Sequence, residues 1–171
     1  WDDIVGLEKS AIPTDIGSTS HASDFCYMTS HDKLNVFTSN YSREFYKKRG
    51  NYIPIGGMEV ARKDDDERML ELIRKVGSGK AFGTNAYMIS AAEAKEKFPL
   101  REEDHIHGAM WDPDAGLVTP RSQKVAGDLV DEAVASGKLK AFAYTPANKI
   151  LVEDGVAVGV ETPKGTIMAD S

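Results

Sequence analysis

Alternating strand and helix patterns over 171 residues predict an α/β fold with mixed sheets. Two further observations point the same way. Near the start, the hydrophobic strand Ile4-Val5-Gly6-Leu7 closes on the acidic Glu8, and from Leu139 onward short strands are divided by turn signals at Glu153-Asp154-Gly155 and Pro163-Lys164-Gly165. The length suffices for one domain with a real core, and no internal repeat or low-complexity linker interrupts it.

After the first strand and a loop through Ser30, residues 32 to 49 place Leu34, Phe37, Tyr41, Phe45 and Tyr46 at helical spacing, with Gly50 as a stop; core packing is the expected use of this face, and lining a cavity through cation–π contact is the alternative. Tyr52 to Ala61 reads as a strand with a glycine interruption at Gly56-Gly57, where something approaches closely. A helix follows over residues 64 to 82, carrying Met69, Leu70, Leu72, Ile73 and Val76, with Gly77 and Gly79 expected to loosen its last turns. A short strand at Ala86 to Ile89 leads into Ser90-Ala91-Ala92-Glu93, a capping box opening a helix that ends before Pro99. Ile106 to Trp111 is a strand closed by the turn Asp112 to Gly116. Thr119-Pro120 then supplies a cap and a first-turn proline for a helix burying Val125, Leu129, Val130, Ala133 and Val134 before Gly137.

Composition narrows the function classes. The chain is 41% hydrophobic and 28% charged with a mean hydropathy of -0.38, ordinary values for a globular protein. No apolar run approaches the ~20 residues that span a bilayer, so no membrane partner is expected, and a reducing aqueous compartment is. Net charge is -6 with Lys and Arg scattered, which argues against a nucleic-acid partner. The single cysteine, Cys26, rules out an internal disulfide and reads as a small packed side chain. The run from Lys63 to Arg68 suits a solvated helix start. His105 and His107, two apart on a predicted strand, share a face, but no third ligand stands at suitable spacing, so no metal site is expected. His31 precedes a helix and is read as capping it or facing water.

Glu8 and the loop Gly17-Ser18-Thr19-Ser20-His21-Ala22 together read as half of a flavin site. In a dinucleotide-binding fold, the carboxylate at the end of the second strand accepts hydrogen bonds from the adenosine ribose, and a small hydroxyl-rich loop can lie against the rest of the cofactor. The complementary strand and G-x-G-x-x-G turn, whose amides and helix N-terminus would hold the pyrophosphate, are expected just upstream of Trp1. The far end, Gly165 to Ser171, stops as another strand is due, so the chain is read as part of something larger.

With these residues in view, the chain resembles the flavin module of the dimethylglycine oxidase, dimethylglycine dehydrogenase and sarcosine dehydrogenase group. The resemblance rests on Leu7-Glu8-Lys9, on the loop from Gly17 to Ala22, on Gly56-Gly57-Met58-Glu59-Val60-Ala61, on Leu100, on Gly108 to Gly116 and on Gly155 to Thr162. It implies part of a glutathione-reductase-like FAD-binding domain of the amino-acid-oxidase type, lacking the first βα glycine-loop unit. Residues 1–30 and 139–171 would be the FAD-binding part, and 31–138 largely helices and substrate-domain strands. It also implies that His21 carries FAD covalently through the flavin 8α carbon, since a neutral imidazole is a good nucleophile near pH 7. By the same match Glu8 would hold the ribose, Lys9 would sit beside the adenosine, Gly17, Ser18, Thr19 and Ser20 would line the flavin, and backbone groups at Ala147, on a strand near Pro146, would touch adenine. Glycine at position 17 would permit a conformation and an approach closed to larger residues. The residues after His21, Ser23-Asp24-Phe25, depart from the small and apolar pattern usual in the group.

The function implied is oxidative demethylation of an N-methylated glycine, dimethylglycine or sarcosine, by hydride transfer from the N-methyl carbon to flavin N5, leaving an iminium whose one-carbon unit passes to water or to folate in a downstream domain. Oxygen or an electron-transfer flavoprotein would be the electron acceptor, and the compartment the cytoplasm, or the mitochondrial matrix in a eukaryote. Two alternatives stand beside it: a non-catalytic regulatory relative keeping the flavin-module fold, and an amine or amino-acid oxidase with another substrate. Residues 1–171 alone, without the glycine loop, are expected to bind little FAD, to be inactive, and to be prone to self-association at an exposed sheet edge.

Overall fold

The computed structural model describes residues 2–170. In chain order the strands are β1 (Ile4–Leu7), β2 (Phe25–Cys26), β3 (Tyr52–Pro54), β4 (Gly57–Arg62), β5 (Tyr87–Ile89), β6 (Ile106–Asp112), β7 (Gly116–Val118), β8 (Leu139–Phe142), β9 (Lys149–Glu153), β10 (Val156–Thr162) and β11 (Gly165–Met168). The helices are α1 (Ser18–His21), α2 (Lys33–Lys48), α3 (Asp66–Ala81), α4 (Ala91–Lys97) and α5 (Ser122–Ala135), with a 3-10 turn at Glu103–His105. The chain divides into two compact units, one made of the segments up to Ser23 and from Pro120 onward, the other of Asp24–Thr119. Helix α5 belongs to the first unit.

The first unit holds the parallel pair β1–β8, with Ile4 opposite Leu139 and Leu7 opposite Phe142, and the antiparallel meander β9-β10-β11. The expected hairpin turn is present: Asp154 and Gly155 both take positive φ, 49° and 81°, as a two-residue turn of this hand requires. The second unit holds the sheet β4-β6-β5 and the smaller sheet β2-β7-β3, all antiparallel. Helix α3 covers one core cluster, Ala61, Leu72, Val76, Ala86 and Met110, none more than 6% exposed, while Ile89, Ala94, Ile106 and Ala109 form a second cluster that includes α4. Each of Leu72 and Val76 contributes about 1.5–3 kcal/mol by leaving water.

Local signals locate the helix starts. Asp32 accepts from the Asn35 amide at 2.8 Å, Asp65 from that of Arg68 at 2.9 Å, and Ser90 exchanges both capping-box bonds with Glu93. Helix α5 departs from expectation, beginning at Ser122 with Arg121 as its cap rather than at Thr119-Pro120. The reason is long-range: the Thr119 amide donates to the Asn51 carbonyl at 2.9 Å and its carbonyl accepts from Asn51 Nδ2 at 2.8 Å, which holds Thr119 outside the helix.

Other expectations are corrected. Residues 52–61 form two strands in different sheets rather than one, while the glycine interruption and close approach expected there are present at Gly56, with φ of +75° and the Trp111 ring against it. Gly79 is a close-packing position rather than a loosened turn, since a Cβ there would meet Thr84 Oγ1 at 2.5 Å. The aromatic face of α2 is not core: Leu34, Phe37 and Tyr41 are 65–70% exposed, and only Val36 of that helix is buried. His105 lies in the 3-10 turn, while His107 lies on β6 with Nδ1 3.5 Å from Asp66, so the two do not share a strand. Asp32, not His31, caps α2, and of the two readings of His31 the solvent-facing one holds: its side chain is exposed, 3.7 Å from Glu71.

Candidate functional site

The residues singled out for cofactor binding all fall in the first unit, where the C-terminal ends of the parallel strands β1 and β8 meet. The Glu8 amide donates to Phe142 O at 3.0 Å, the Thr145 amide to Glu8 O at 2.8 Å and the Tyr144 amide to Ser10 O at 2.9 Å. Backbone bonding thus continues past both strands and brings Glu8 alongside the segment leading to Ala147. Carboxyl ends of parallel strands are where open α/β sheets bind ligands.

Glu8 is half-buried, and its Oε1 accepts from the Ser10 amide at 2.9 Å and from Ser10 Oγ at 2.8 Å. These bonds, the backbone one foremost, hold its carboxyl below the usual range, so at neutral pH it is ionised and accepts only. Ser10 Oγ is 2.7 Å from Thr14 Oγ1, and Thr14 O accepts from Gln123 Nε2 on α5 at 2.8 Å. The relay ties the loop after β1 to α5. Between them opens a cleft of about 280 Å³ whose lining includes Gly6, Glu8, Thr14, Thr19, Gln123 and Ala141. Ser10, Thr14 and Gln123 were missed from sequence; a serine two residues after a carboxylate is a local turn signal that could have found the first, whereas Gln123, 109 positions from its partner, gives none.

The loop from Gly17 to Ala22 is a single helical turn, with Gly17 as its cap. Gly17 has φ -89° and ψ 165°, open to any residue, so its value lies in space alone: a Cβ would come 2.9 Å from the Thr14 methyl. Thr19 lines the cleft with Glu8. The Ser20 hydroxyl donates to Gly17 O at 2.7 Å, and Ser20 O accepts from Arg121 at 3.4 Å. Ser18, His21 and Lys9 are exposed. Ala147 is exposed too, and it lies in the loop before β9 rather than on a strand; the next amide, of Asn148, donates to Glu161 O at 2.8 Å. Among the described residues no group of three or more His, Cys, Asp or Glu side chains could hold a metal, and no helix is long and apolar enough to cross a membrane.

A parallel strand pair ending in a carboxylate, within a mixed α/β chain, is the arrangement by which dinucleotide-binding folds hold an adenosine ribose. The chain belongs to the family of FAD dependent oxidoreductases (DAO), whose profile matches residues 1–170. It is similar to the mitochondrial pyruvate dehydrogenase phosphatase regulatory subunit of Mus musculus, 28% identical over 98% of this chain and 19% of that protein. To the mitochondrial sarcosine dehydrogenases of Mus musculus and Homo sapiens it is 30% and 31% identical, over 74% of this chain and 14% of each. Among solved structures, the L-proline dehydrogenase of P. horikoshii aligns with a TM-score of 0.80 at 23% identity, covering 98% of this chain and 50% of that one. The glycine oxidase of Geobacillus kaustophilus gives 0.75 at 22%, covering 98% and 46%. The chain therefore spans less than a fifth of its curated relatives and about half of these solved proteins.

FAD is the family's cofactor, and the donor set here fits part of it. An acceptor-only carboxylate at a strand end suits a pair of ribose hydroxyls, and the adjoining cleft has room for small polar and apolar groups.

Proposed function

We propose that this chain is the FAD-binding portion of an oxidoreductase that demethylates N-methylated glycines such as dimethylglycine or sarcosine. The observation that carries the reading is the 30–31% identity to sarcosine dehydrogenases, over a segment that includes most of the chain. When bound, FAD supplies the two-electron acceptor for the N-methyl C–H bond. Glu8 accepts the ribose hydroxyls, Lys9 flanks the adenosine, backbone groups at Ala147 face adenine, and Gly17, Ser18, Thr19 and Ser20 line the flavin. His21, exposed at the end of α1, is the covalent attachment point. Oxygen or an electron-transfer flavoprotein reoxidises the enzyme, folate in a further domain receives the one-carbon unit, and the mitochondrial names of the relatives favour the matrix.

A second reading has its own support, because the similarity to the phosphatase regulatory subunit extends over 98% of the chain against 74% for the dehydrogenases. On that reading the parent keeps the flavin-module fold without turnover. Anaerobic mixing of the parent protein with dimethylglycine and with sarcosine separates the two: bleaching of the flavin spectrum supports the oxidoreductase, and a flavin-loaded protein that neither compound bleaches sinks the substrate assignment.

A further inference from the structure

The second unit contains an open hollow of about 360 Å³ with an unusual wall: Phe25, Tyr27, Phe98 and Trp111 supply aromatic surface, and Lys97 and Arg101 supply two cations. Lys97 Nζ lies 4.5 Å from the centroid of the Trp111 ring, and the Arg101 guanidinium carbon lies 5.3 Å from that of Phe98. Neither cation forms an ion pair among the described residues. Glu93, one turn before Lys97, accepts from the Ser90 amide and hydroxyl on one carboxylate oxygen, at 2.7 and 2.8 Å, and acts on Lys97 only through space. Arg101 Nε is buried with no hydrogen-bond partner, a donor stripped of water and left unsatisfied.

We propose that this hollow binds a small carboxylate bearing a flat apolar body, the carboxylate held by Arg101 and Lys97 and the body packed against Trp111, Phe25 and Phe98. An arginine fork matches a carboxylate in two parallel bonds, and partial removal from water strengthens them. Burial, with Glu59 and Asp112 nearby, pushes the Tyr27 phenol up to about 12, so it remains a neutral hydroxyl donor and adds no negative charge to the hollow. The volume falls within the range of small-ligand sites, at its lower end. The proposal does not depend on flavin or on the reaction assigned to the parent, since every residue it uses lies within Asp24–Thr119.

Trp111 is the built-in reporter, because the only other tryptophan is Trp1. The full chain carrying Trp1→Phe is titrated with phenylacetate, with its neutral analogue 2-phenylethanol and with inorganic phosphate, following tryptophan emission. Phenylacetate is expected to change the emission saturably and the other two to do so at least about tenfold more weakly, and Arg101→Gln is expected to weaken phenylacetate by about tenfold. Lys97→Gln, at an exposed position that the fold does not need, is expected to weaken it severalfold, and circular dichroism verifies that both variants keep the native fold. The proposal is overturned by the absence of a saturable response, by 2-phenylethanol or phosphate binding as well as phenylacetate, or by a folded Lys97→Gln that binds like its parent.

Discussion

The amide of Thr29 donates to Oδ2 of Asp112 at 3.0 Å, joining segments 83 residues apart inside the second unit. Oδ2 also accepts from the Met28 amide at 3.1 Å, and Oδ1 from the Asp114 amide at 3.1 Å. Asp112 is wholly buried, so three backbone donors rely on this one carboxylate. Replacing Asp112 with Ala strands them in a dry environment, and the expected loss is about 3–5 kcal/mol, read as a lower urea midpoint. Unfolding at an unchanged midpoint would show that these bonds are dispensable.

Gly56 and Gly137 both have positive φ, +75° and +74°, but only Gly56 is crowded: its missing Cβ would sit 2.1 Å from a Trp111 ring carbon, whereas Gly137 has nothing within 4 Å. Gly137→Ala is therefore expected to cost about 1–2 kcal/mol, the backbone penalty alone. Gly56→Ala adds overpacking against the ring, for a total of about 2–5 kcal/mol. Equal costs at the two positions would refute the close approach.

Several carboxylates lose protons more readily in the folded chain. The Ser90 backbone bond holds Glu93 low, and the Arg68 side-chain bond holds Glu71 low, both from an ordinary value of 4.5. A depressed folded-state value means that the unfolded chain binds the proton more tightly. The stabilisation is present above the unfolded value and disappears as pH falls through the folded one. Urea midpoints should therefore drop as pH is lowered from about 5 to about 3, and the drop should be shallower for Glu93→Gln.

At the alkaline end the sign reverses. Burial raises Tyr27 and Tyr52 from 10.0 to about 12. A raised folded-state value on a phenol means that the folded chain holds the proton longer, so stability falls as pH climbs from about 10 toward 12. Tyrosinate absorbance should contain a late component with two contributors, and Tyr27→Phe should remove one of them. A titration curve unchanged by that substitution would contradict the assignment.

Flavin chemistry supplies a further check. In the parent polypeptide, acid precipitation should leave flavin on the peptide containing His21, and His21→Ala should release it to the supernatant. If Glu8 holds the ribose as proposed, Glu8→Gln should weaken FAD binding about tenfold or more in a variant unable to form the covalent link. Residues 1–171 alone contain no G-x-G-x-x-G and should quench flavin fluorescence only weakly. Tight saturable quenching by this chain would refute the need for that loop.

Much of the fold was legible because its signals are local. The Ser90 capping box acts on an amide three residues away, and the Asp154-Gly155 turn needs only its own backbone angles. The strands β2 and β7, of two and three residues, carry too little periodicity to be seen. Of the candidate site, the strand end at Glu8 and the loop from Gly17 were legible as a motif, while the Ser10–Thr14–Gln123 relay was not, since its last step joins residues far apart in sequence. The stripe from Leu34 to Phe45 shows the limit of periodicity. It marks a face that prefers cover without saying what covers it, and in this chain that face is exposed while Val36 packs inward.

Residue order alone established the α/β class, the capping box at Ser90 and the strand that ends on an ionisable carboxylate, because each depends on hydrogen bonds or side-chain alternation within a few residues. Folding settled the start of α5 through Asn51, the break at Gly56 through Trp111, the anchoring of Met28 and Thr29 by Asp112, and the gathering of Lys97 and Arg101 around aromatic rings. The first three of those relationships join residues tens of positions apart, and the energies of all of them depend on the chain having closed its loops and excluded water between the groups.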